Sequence, residues 1–348
     1  MSTPINTALC SFGMSGLVFH SPFLTVNPHF NFYAVLERTK NIAAEKYPEV
    51  KTYRTLEAML ADDLVELVIV NTPNYTHYEY AKKALEAGKH VVVEKPFTVH
   101  FEEAQELIEI AKRKNKVLSV YQNRRYDSDY KTIKKVLSEN LLGELVEAEM
   151  HFDRFRQELS AKKHKEIAGP GAGVLYDLGA HLIDQALQLF GTPEKIFADI
   201  RIIRPTSQVD DYFELLLYYP KLRVRLKASY LVREALPGYI LHGLKGSFIK
   251  HKTDVQEKML QEGIIPSGKD WGTEPETEKG LLHTEVDGKV IREYIASKQG
   301  NYNDYYNALY ESIRFHKPLP VTAEEGAQVV KIIETAFESS KKESVIHL

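Results

Sequence analysis

Through residues 1–122, apolar positions gather into short unbroken runs, and the segments between them carry apolar residues at helical spacing. The runs Thr7–Phe12, Phe32–Leu36, Val50–Tyr53, Leu64–Val70, His90–Val93 and Val117–Tyr121 predict strands. Helices are predicted through Val18, Phe19, Phe23 and Leu24, with a break near Pro22. Further helices are predicted over Asn41–Tyr47, Thr55–Leu60, Thr76 to Gly88, and Glu102–Lys114. Thr55 has the character of an N-cap with Glu57 close behind it, and Gly88 that of a C-cap. A strand that is apolar along its whole length cannot leave a face in water, so helices must cover both sides. The pattern predicts a doubly wound α/β domain on a parallel sheet.

After Asp127 the period changes. A helix over Tyr130–Asn140 leads into a run that alternates, with Val146, Ala148, Met150 and Phe152 in step. Strands are expected at Ile196–Ile203, Tyr212–Tyr218, Val224–Val232, Tyr239–Leu241 and Ser247–His251, with one helix, Val174–Phe190, closed by Gly191-Thr192-Pro193. Consecutive alternating strands with few helices between them predict a mostly antiparallel sheet with one face left open. Residues 123–348 therefore read as a second, α+β domain. Gly263–Lys279 reads as a long loop around the single tryptophan, Trp271, before helices at Asn303–Phe315 and Thr322–Ser340. The last helix is a candidate to pack back on the first domain.

Composition narrows the class of function. The chain has 348 residues, enough for two domains, and 43% apolar with 27% charged residues is an ordinary globular balance. A formal net charge of −3 offers no electrostatic reason for a nucleic-acid or anionic-membrane partner. Cys10 is the only cysteine, which rules out an intrachain disulfide and suits a reducing compartment. The polar start Met1 to Asn6 lacks a secretory pattern, and no apolar run reaches the roughly 20 residues of a membrane span. A cytoplasmic protein is expected.

Candidate chemistry sits where the predicted strands end. Ser11-Phe12-Gly13-Met14-Ser15-Gly16 follows the first strand as a degenerate G-x-G-x-x-G turn, with Ser11 in the first glycine's place. In that turn the second glycine admits a pyrophosphate close to the backbone, and the third lets helix and strand pack closely. Alone, it also reads as an ordinary strand-to-helix turn. Glu37 ends the second strand where an acid would bind a ribose 2′-hydroxyl of NAD, but Arg38 and Lys40 follow and suit the 2′-phosphate of NADP. NADP is expected, with NAD as the alternative. Thr72, Pro73 and Asn74 follow the fourth strand, with His77 one turn on, and a capped Asn/Pro turn explains them equally.

Glu94-Lys95-Pro96 ends the fifth strand. An ammonium fixed there can hydrogen-bond a substrate hydroxyl and polarise a developing alkoxide. Asp177 and His181 stand one helical turn apart, with Asp184 further along. An imidazole is the natural proton carrier in alcohol oxidation, whereas an exposed Asp/His pair or a core histidine is the plainer reading. A metal site has no clear third ligand, and none is expected. Gln122-Asn123-Arg124-Arg125-Tyr126-Asp127 lies at the expected domain junction, either facing a small-molecule cleft or forming a salt-bridge cluster. Trp271 either caps a pocket or fills a core gap.

Taken in order, the glycine turn, Thr72-Pro73-Asn74 with His77, Glu94-Lys95-Pro96, Asn123–Asp127 and Gly173 to His181 resemble the glucose–fructose oxidoreductase and inositol dehydrogenase family (Gfo/Idh/MocA). Val321-Thr322-Ala323-Glu324-Glu325-Gly326 extends the resemblance to the last helix. Ser119-Val120-Tyr121, Leu175-Tyr176-Asp177-Leu178-Gly179 and Trp271-Gly272 bring it nearest the NADP-dependent scyllo-inositol dehydrogenase branch. The resemblance implies a Rossmann domain, an α/β domain with a large open sheet often used for dimerisation, and hydride transfer at a secondary alcohol of a cyclic polyol or sugar. The candidate cofactor residues are Ser11, Phe12, Gly13, Met14, Gly16, Glu37, Arg38, Lys40, Thr72, Pro73, Asn74, His77, Glu94, Lys95 and Asn123, with Ser11 and Glu37-Arg38 departing from the family pattern. Lys95 would also touch substrate, His181 would be the general acid/base supported by Asp177, and Arg124, Tyr126 and Trp271 would join the substrate side. Gln122 stands where the family often has histidine, which leaves the substrate open. A homodimer or homotetramer is expected, and the rival reading is a non-catalytic NAD(P)- or sugar-sensing regulator on the same fold.

Overall fold

The computed structural model describes residues 3–160 and 166–348, so Met1 and Ser2 of the polar start lie outside the described residues. The chain forms two compact units, and neither is one continuous run. The first comprises Met1–Asn123, Gln256–Trp271 and Asn301–Gln328; the second comprises Arg124–Val255, Gly272–Gly300 and Val329–Leu348.

In the first unit, β1 (Ile5–Leu9), β2 (Phe30–Leu36), β3 (Lys51–Tyr53), β4 (Leu67–Val70), β5 (His90–Glu94) and β6 (Leu118–Tyr121) form one sheet in the order β3-β2-β1-β4-β5-β6. All its pairings are parallel. Every residue of β4 is buried, as expected for a central strand covered on both faces. Strand order reverses between β1 and β4, and the loops after their carboxyl ends are where open α/β sheets bind ligands. The helices are α1 (Ser21–Val26), α2 (Ile42–Lys46), α3 (Leu56–Leu60), α4 (His77–Glu86) and α5 (Phe101–Lys114). Thr55 caps α3 as expected, its side chain accepting from the Ala58 N–H.

The break expected near Pro22 falls directly before it, at the His20–Ser21 junction. Ser15–His20 is a π-helical turn, closed by the Ser21 N–H on the Gly16 carbonyl, and α1 begins after it with Pro22 in its first turn. A proline there loses no helical hydrogen bond, so it opens α1 rather than breaking it.

The returning segments add α8 (Gln256–Gln261) and α9 (Asn303–Phe315). Tyr305 and Tyr306 of α9 are fully buried, the Tyr305 and Ser119 hydroxyls hydrogen-bond, and Tyr306 stacks on Phe23. Thr322 and Glu325 form a reciprocal capping box at the start of α10 (Ala323–Lys342), which begins in the first unit and ends in the second.

The second unit carries α6 (Ser128–Ser138), α7 (Ala180–Phe190) and a nine-stranded sheet. Its strands are β7 (Leu145–His151), β8 (Lys195–Arg201), β9 (Tyr212–Tyr218), β10 (Arg223–Ser229), β11 (Tyr239–Gly243), β12 (Gly246–Lys250), β13 (Gly280–Val286), β14 (Lys289–Ile295) and β15 (Ile346–His347). The order is β14-β13-β12-β11-β7-β10-β9-β8-β15; β7 and β10 pair in parallel and the other pairings are antiparallel. β9 alternates buried and half-buried positions, as one covered face requires. The β13–β14 hairpin has no counterpart in the predicted elements. Its signal was the two-residue turn Asp287-Gly288, whose φ values of 51° and 75° are those of a hairpin turn. The helix expected over Val174–Phe190 starts as a π-helical turn, Leu175–Gly179, before α7.

The second unit buries an ion pair. Lys250 and Glu274 have side chains 0% and 1% exposed and meet at 2.8 Å. The Lys250 ammonium also donates to Thr253 Oγ1 and the Glu278 carbonyl, and the carboxylate accepts from Ser128 and Ser297. Removing one partner of such a pair strands a charge in the interior. Lys250→Met is expected to cost about 3–5 kcal/mol in urea unfolding. Lys342→Met, which breaks a largely exposed pair with Glu338, should cost under about 0.5 kcal/mol. Equal losses in the two variants would refute this ranking.

Candidate active site

The turn after β1 is built on a close backbone approach. A Cβ at Gly16 would lie 2.5 Å from the Ser11 carbonyl oxygen, so no other residue fits without movement. Asn71, in the loop after β4, donates to that same carbonyl at 2.8 Å, while its own Oδ1 is buried without a hydrogen-bond partner. Gln122 Oε1, beyond β6, is likewise buried and unpartnered. A glycine cradle with buried acceptors at the sheet's reversal point fits a dinucleotide and its ribose hydroxyls. Phe12 is buried beneath the turn, whereas Gly13 and Met14 are exposed.

Glu37 is placed differently from a free ribose-binding acid. Its carboxylate is buried and accepts the N–H groups of Ile42 and Ala43 at 3.1 and 3.0 Å, at the start of α2. Arg54, a residue the sequence reading missed, donates to the carbonyls of Glu37 and Lys40 at 2.7 and 2.6 Å and shapes the loop between them. Arg38 and Lys40 are left exposed.

After β4, the Thr72 hydroxyl accepts from Thr76 at 2.7 Å, and Asn74 opens a 3₁₀ turn behind Pro73. His77 stands behind this loop. It is fully buried, its ring nitrogens lie 2.9 Å from the Thr72 carbonyl and 2.8 Å from the Pro96 carbonyl, and burial pushes its pKa down. The ring thus braces two site loops.

At the end of β5, Glu94 holds its neighbours on both carboxylate oxygens. Oε1 accepts from Ser15 at 2.5 Å and lies 3.0 Å from His20 Nε2; Oε2 accepts the Lys95 N–H at 3.2 Å. Burial pushes the carboxyl pKa up, but His20, Ser15 and the Lys95 charge outweigh it and hold the value at about 2. The Lys95–Pro96 peptide is cis. Asn123 is buried at the end of the first unit's first segment. Trp271 also belongs to this unit, 4% exposed, edge-on to Phe23 and with its indole N–H on Gln256 Oε1 at 3.2 Å. That is the packing of a core residue.

In the second unit, Asp177 is half-buried in the π-helical turn and His181 is buried in the first turn of α7, 6.3 Å between ring centres from Phe152. Arg124 pairs with Asp127 at 3.2 Å, and its guanidinium lies 5.0 Å from the centre of the Phe152 ring. Burial, followed by the nearby Asp254, pushes the Asp127 carboxyl well above the usual range. Arg125 grips Asp184 through both carboxylate oxygens, at 2.8 and 2.6 Å, so Asp184 fixes the Asn123–Tyr126 turn to α7. Tyr126 ends that turn, half-buried.

Asp210 was not among the sequence candidates. Its carboxylate accepts the Leu175 N–H at 2.8 Å and its carbonyl accepts the Val174 N–H at 2.8 Å. It therefore holds the start of the turn that carries Asp177. Gly173, at φ +100°, makes the room, since a Cβ there would lie 1.9 Å from the carboxylate. Among the described residues, no group of three or more His, Cys, Asp or Glu could hold a metal ion.

Residues 5–122 match the family model described as an oxidoreductase family with an NAD-binding Rossmann fold, and residues 134–348 match that family's C-terminal alpha/beta domain. The chain belongs to the Gfo/Idh/MocA oxidoreductases. Among its relatives, the scyllo-inositol 2-dehydrogenase (NADP(+)) IolW of Bacillus subtilis is 40% identical, over 99% of this chain and 96% of its own. A solved structure of yvaA from Bacillus subtilis superposes with a TM-score of 0.96 at 39% identity, covering 100% of this chain and 99% of that one. One from Bacteroides fragilis gives 0.91 at 46% identity, covering 99% and 100%.

Within this family member, Asp210 should leave a pH signature. Burial raises its pKa to about 6, while the backbone donors pull it down. The folded value lies above the ordinary carboxyl value, so the folded state binds the proton more tightly than the unfolded state does. Stability from this group is present at low pH and lost as pH rises from about 4 through 6. Asp210→Asn should flatten that part of a Tm-against-pH curve; an unchanged slope would rule the assignment out.

Proposed function

We propose that this oxidoreductase transfers hydride between NADP and a secondary alcohol or carbonyl of a cyclic, inositol-like polyol or sugar. The observation that carries the reading is Lys95 at the end of β5, its backbone held by a charged Glu94 bonded to the glycine-turn helix. Bound there, the cofactor supplies the carbon that accepts or returns hydride. The turn Ser11–Gly16 holds its phosphates, and Thr72, Pro73, Asn74 and Asn123 line its nicotinamide side. The Lys95 ammonium hydrogen-bonds the reacting oxygen and stabilises negative charge developing on it. His181 takes the hydroxyl proton in the oxidative direction and returns it in the reductive one. Asp177 orients His181 and places substrate hydroxyls, and Arg124 and Tyr126 join it on the substrate side.

For the cofactor's 2′ group, the Glu37 carboxylate is already engaged at α2, whereas Arg38 and Lys40 are exposed cations. This supports NADP, as does the similarity to an NADP-dependent relative. The half-exposed face of the second sheet, with Tyr212, Leu216 and Tyr218 on β9, supports assembly into a homodimer or homotetramer.

A panel of polyols and sugars run with NAD and NADP in parallel tests the reading. Turnover is expected with a cyclic polyol and NADP. Lys95→Ala and His181→Ala should each lose about 100-fold or more in kcat while NADPH still binds. Arg38→Ala should raise KM for NADP about tenfold and leave KM for NAD unchanged. Full activity without the Lys95 or His181 side chain would remove that residue from the mechanism.

A further inference from the structure

His20 is fully buried and has no part in the reading above. It ends the π-helical turn Ser15–His20, its ring packed 4.6 Å between centres from Tyr121. Nδ1 lies 2.8 Å from the Tyr306 hydroxyl and Nε2 lies 3.0 Å from Glu94 Oε1. A core that needed only volume would take a leucine here, because burying an imidazole against a carboxylate is costly unless every donor and acceptor is matched.

The donors do match. The Phe19 carbonyl lies 3.0 Å from the Tyr121 hydroxyl and 3.1 Å from that of Tyr306. Both tyrosine hydroxyls donate to that carbonyl, His20 Nδ1 meets the Tyr306 hydroxyl, and since a carboxylate can only accept, the ring donates its Nε2–H to Glu94. Ser15 donates to the same Glu94 oxygen. Two donors on Oε1 stop the carboxylate from rotating, so Oε2 stays on the Lys95 N–H.

We propose that His20 is a positioning residue for Lys95, acting through the Glu94 carboxylate and linking Lys95 to the dinucleotide turn through Ser15. The inference rests on the reading of Lys95 as a working residue of the site. Glu94 and Lys95 attract one another, so a carboxylate freed from His20 holds the ammonium less well.

The test follows Lys95 itself. Acetic anhydride labelling of the whole protein across pH, read by peptide mass spectrometry, gives the titration midpoint of each lysine. In His20→Ala the Lys95 midpoint is expected to fall by roughly half a unit or more, with that of exposed Lys289 unchanged. His20→Gln keeps a donor for Glu94 and should restore most of the difference; Tyr306→Phe should give a smaller fall than His20→Ala. NADPH fluorescence titration should show affinity within about threefold of wild type in each variant, which keeps the loss local. An unmoved Lys95 midpoint in His20→Ala overturns the proposal. If His20→Ala does not fold, Tyr306→Phe decides, and an unmoved midpoint there overturns it equally. Full turnover in Lys95→Ala would sink the catalytic reading alone, because labelling reports the coupling to His20 without any substrate.

Discussion

A carboxylate withdrawn from water must be given donors, and Glu94 receives three of them from two parts of the first unit. Ser15 comes from the turn after β1, His20 from the end of the same π-helical turn, and the Lys95 N–H from the chain just beyond β5. The charge remains on Glu94 because these donors outweigh the cost of burial. The glycine turn, the π-helical turn and the Lys95 loop therefore cannot shift independently. Around them, His77 braces the loops after β4 and β5 through the carbonyls of Thr72 and Pro96. The outer layer is aromatic, with Tyr121, Tyr305, Tyr306 and Phe23 packed behind His20.

The second unit solves a similar problem at a helix start. The first N–H groups of a helix need acceptors, and Asp210 serves two of them where a side chain at position 173 would leave no space. Further along, Asp184 holds Arg125 with two bonds. The segment carrying Asp177 and His181 is thus fixed at its beginning by one acid and in its middle by another. Both units place candidate chemistry on π-helical turns, Ser15–His20 and Leu175–Gly179. Such turns are rare and recur at functional sites.

Much of the fold was legible because its signals are local. Whole-strand burial in β4, alternation in β9, the Thr55 cap and the positive φ of Gly88 each follow from a few neighbouring residues. The chemistry-bearing segments were legible too, since a strand end followed by Glu94-Lys95-Pro96 is readable as it stands. The hairpin β13–β14 was missed although Asp287-Gly288 announces it, because its strands have weak apolar alternation. Glu37 shows the opposite difficulty. Its position in sequence suits a ribose, yet its carboxylate turns to the N–H groups of Ile42 and Ala43.

The chain by itself determined the two sheet types, the loops that follow each strand, and which side chains at those loops could do chemistry. Periodicity and turn residues act over a handful of positions, so they are present before anything folds. Only tertiary structure decided how those side chains are used. His20 meets Tyr306, Asp210 meets Leu175, and Trp271 meets Phe23 across long stretches of sequence. Such pairings exist because a buried polar atom must find a partner wherever the fold supplies one, and sequence spacing carries no record of that search.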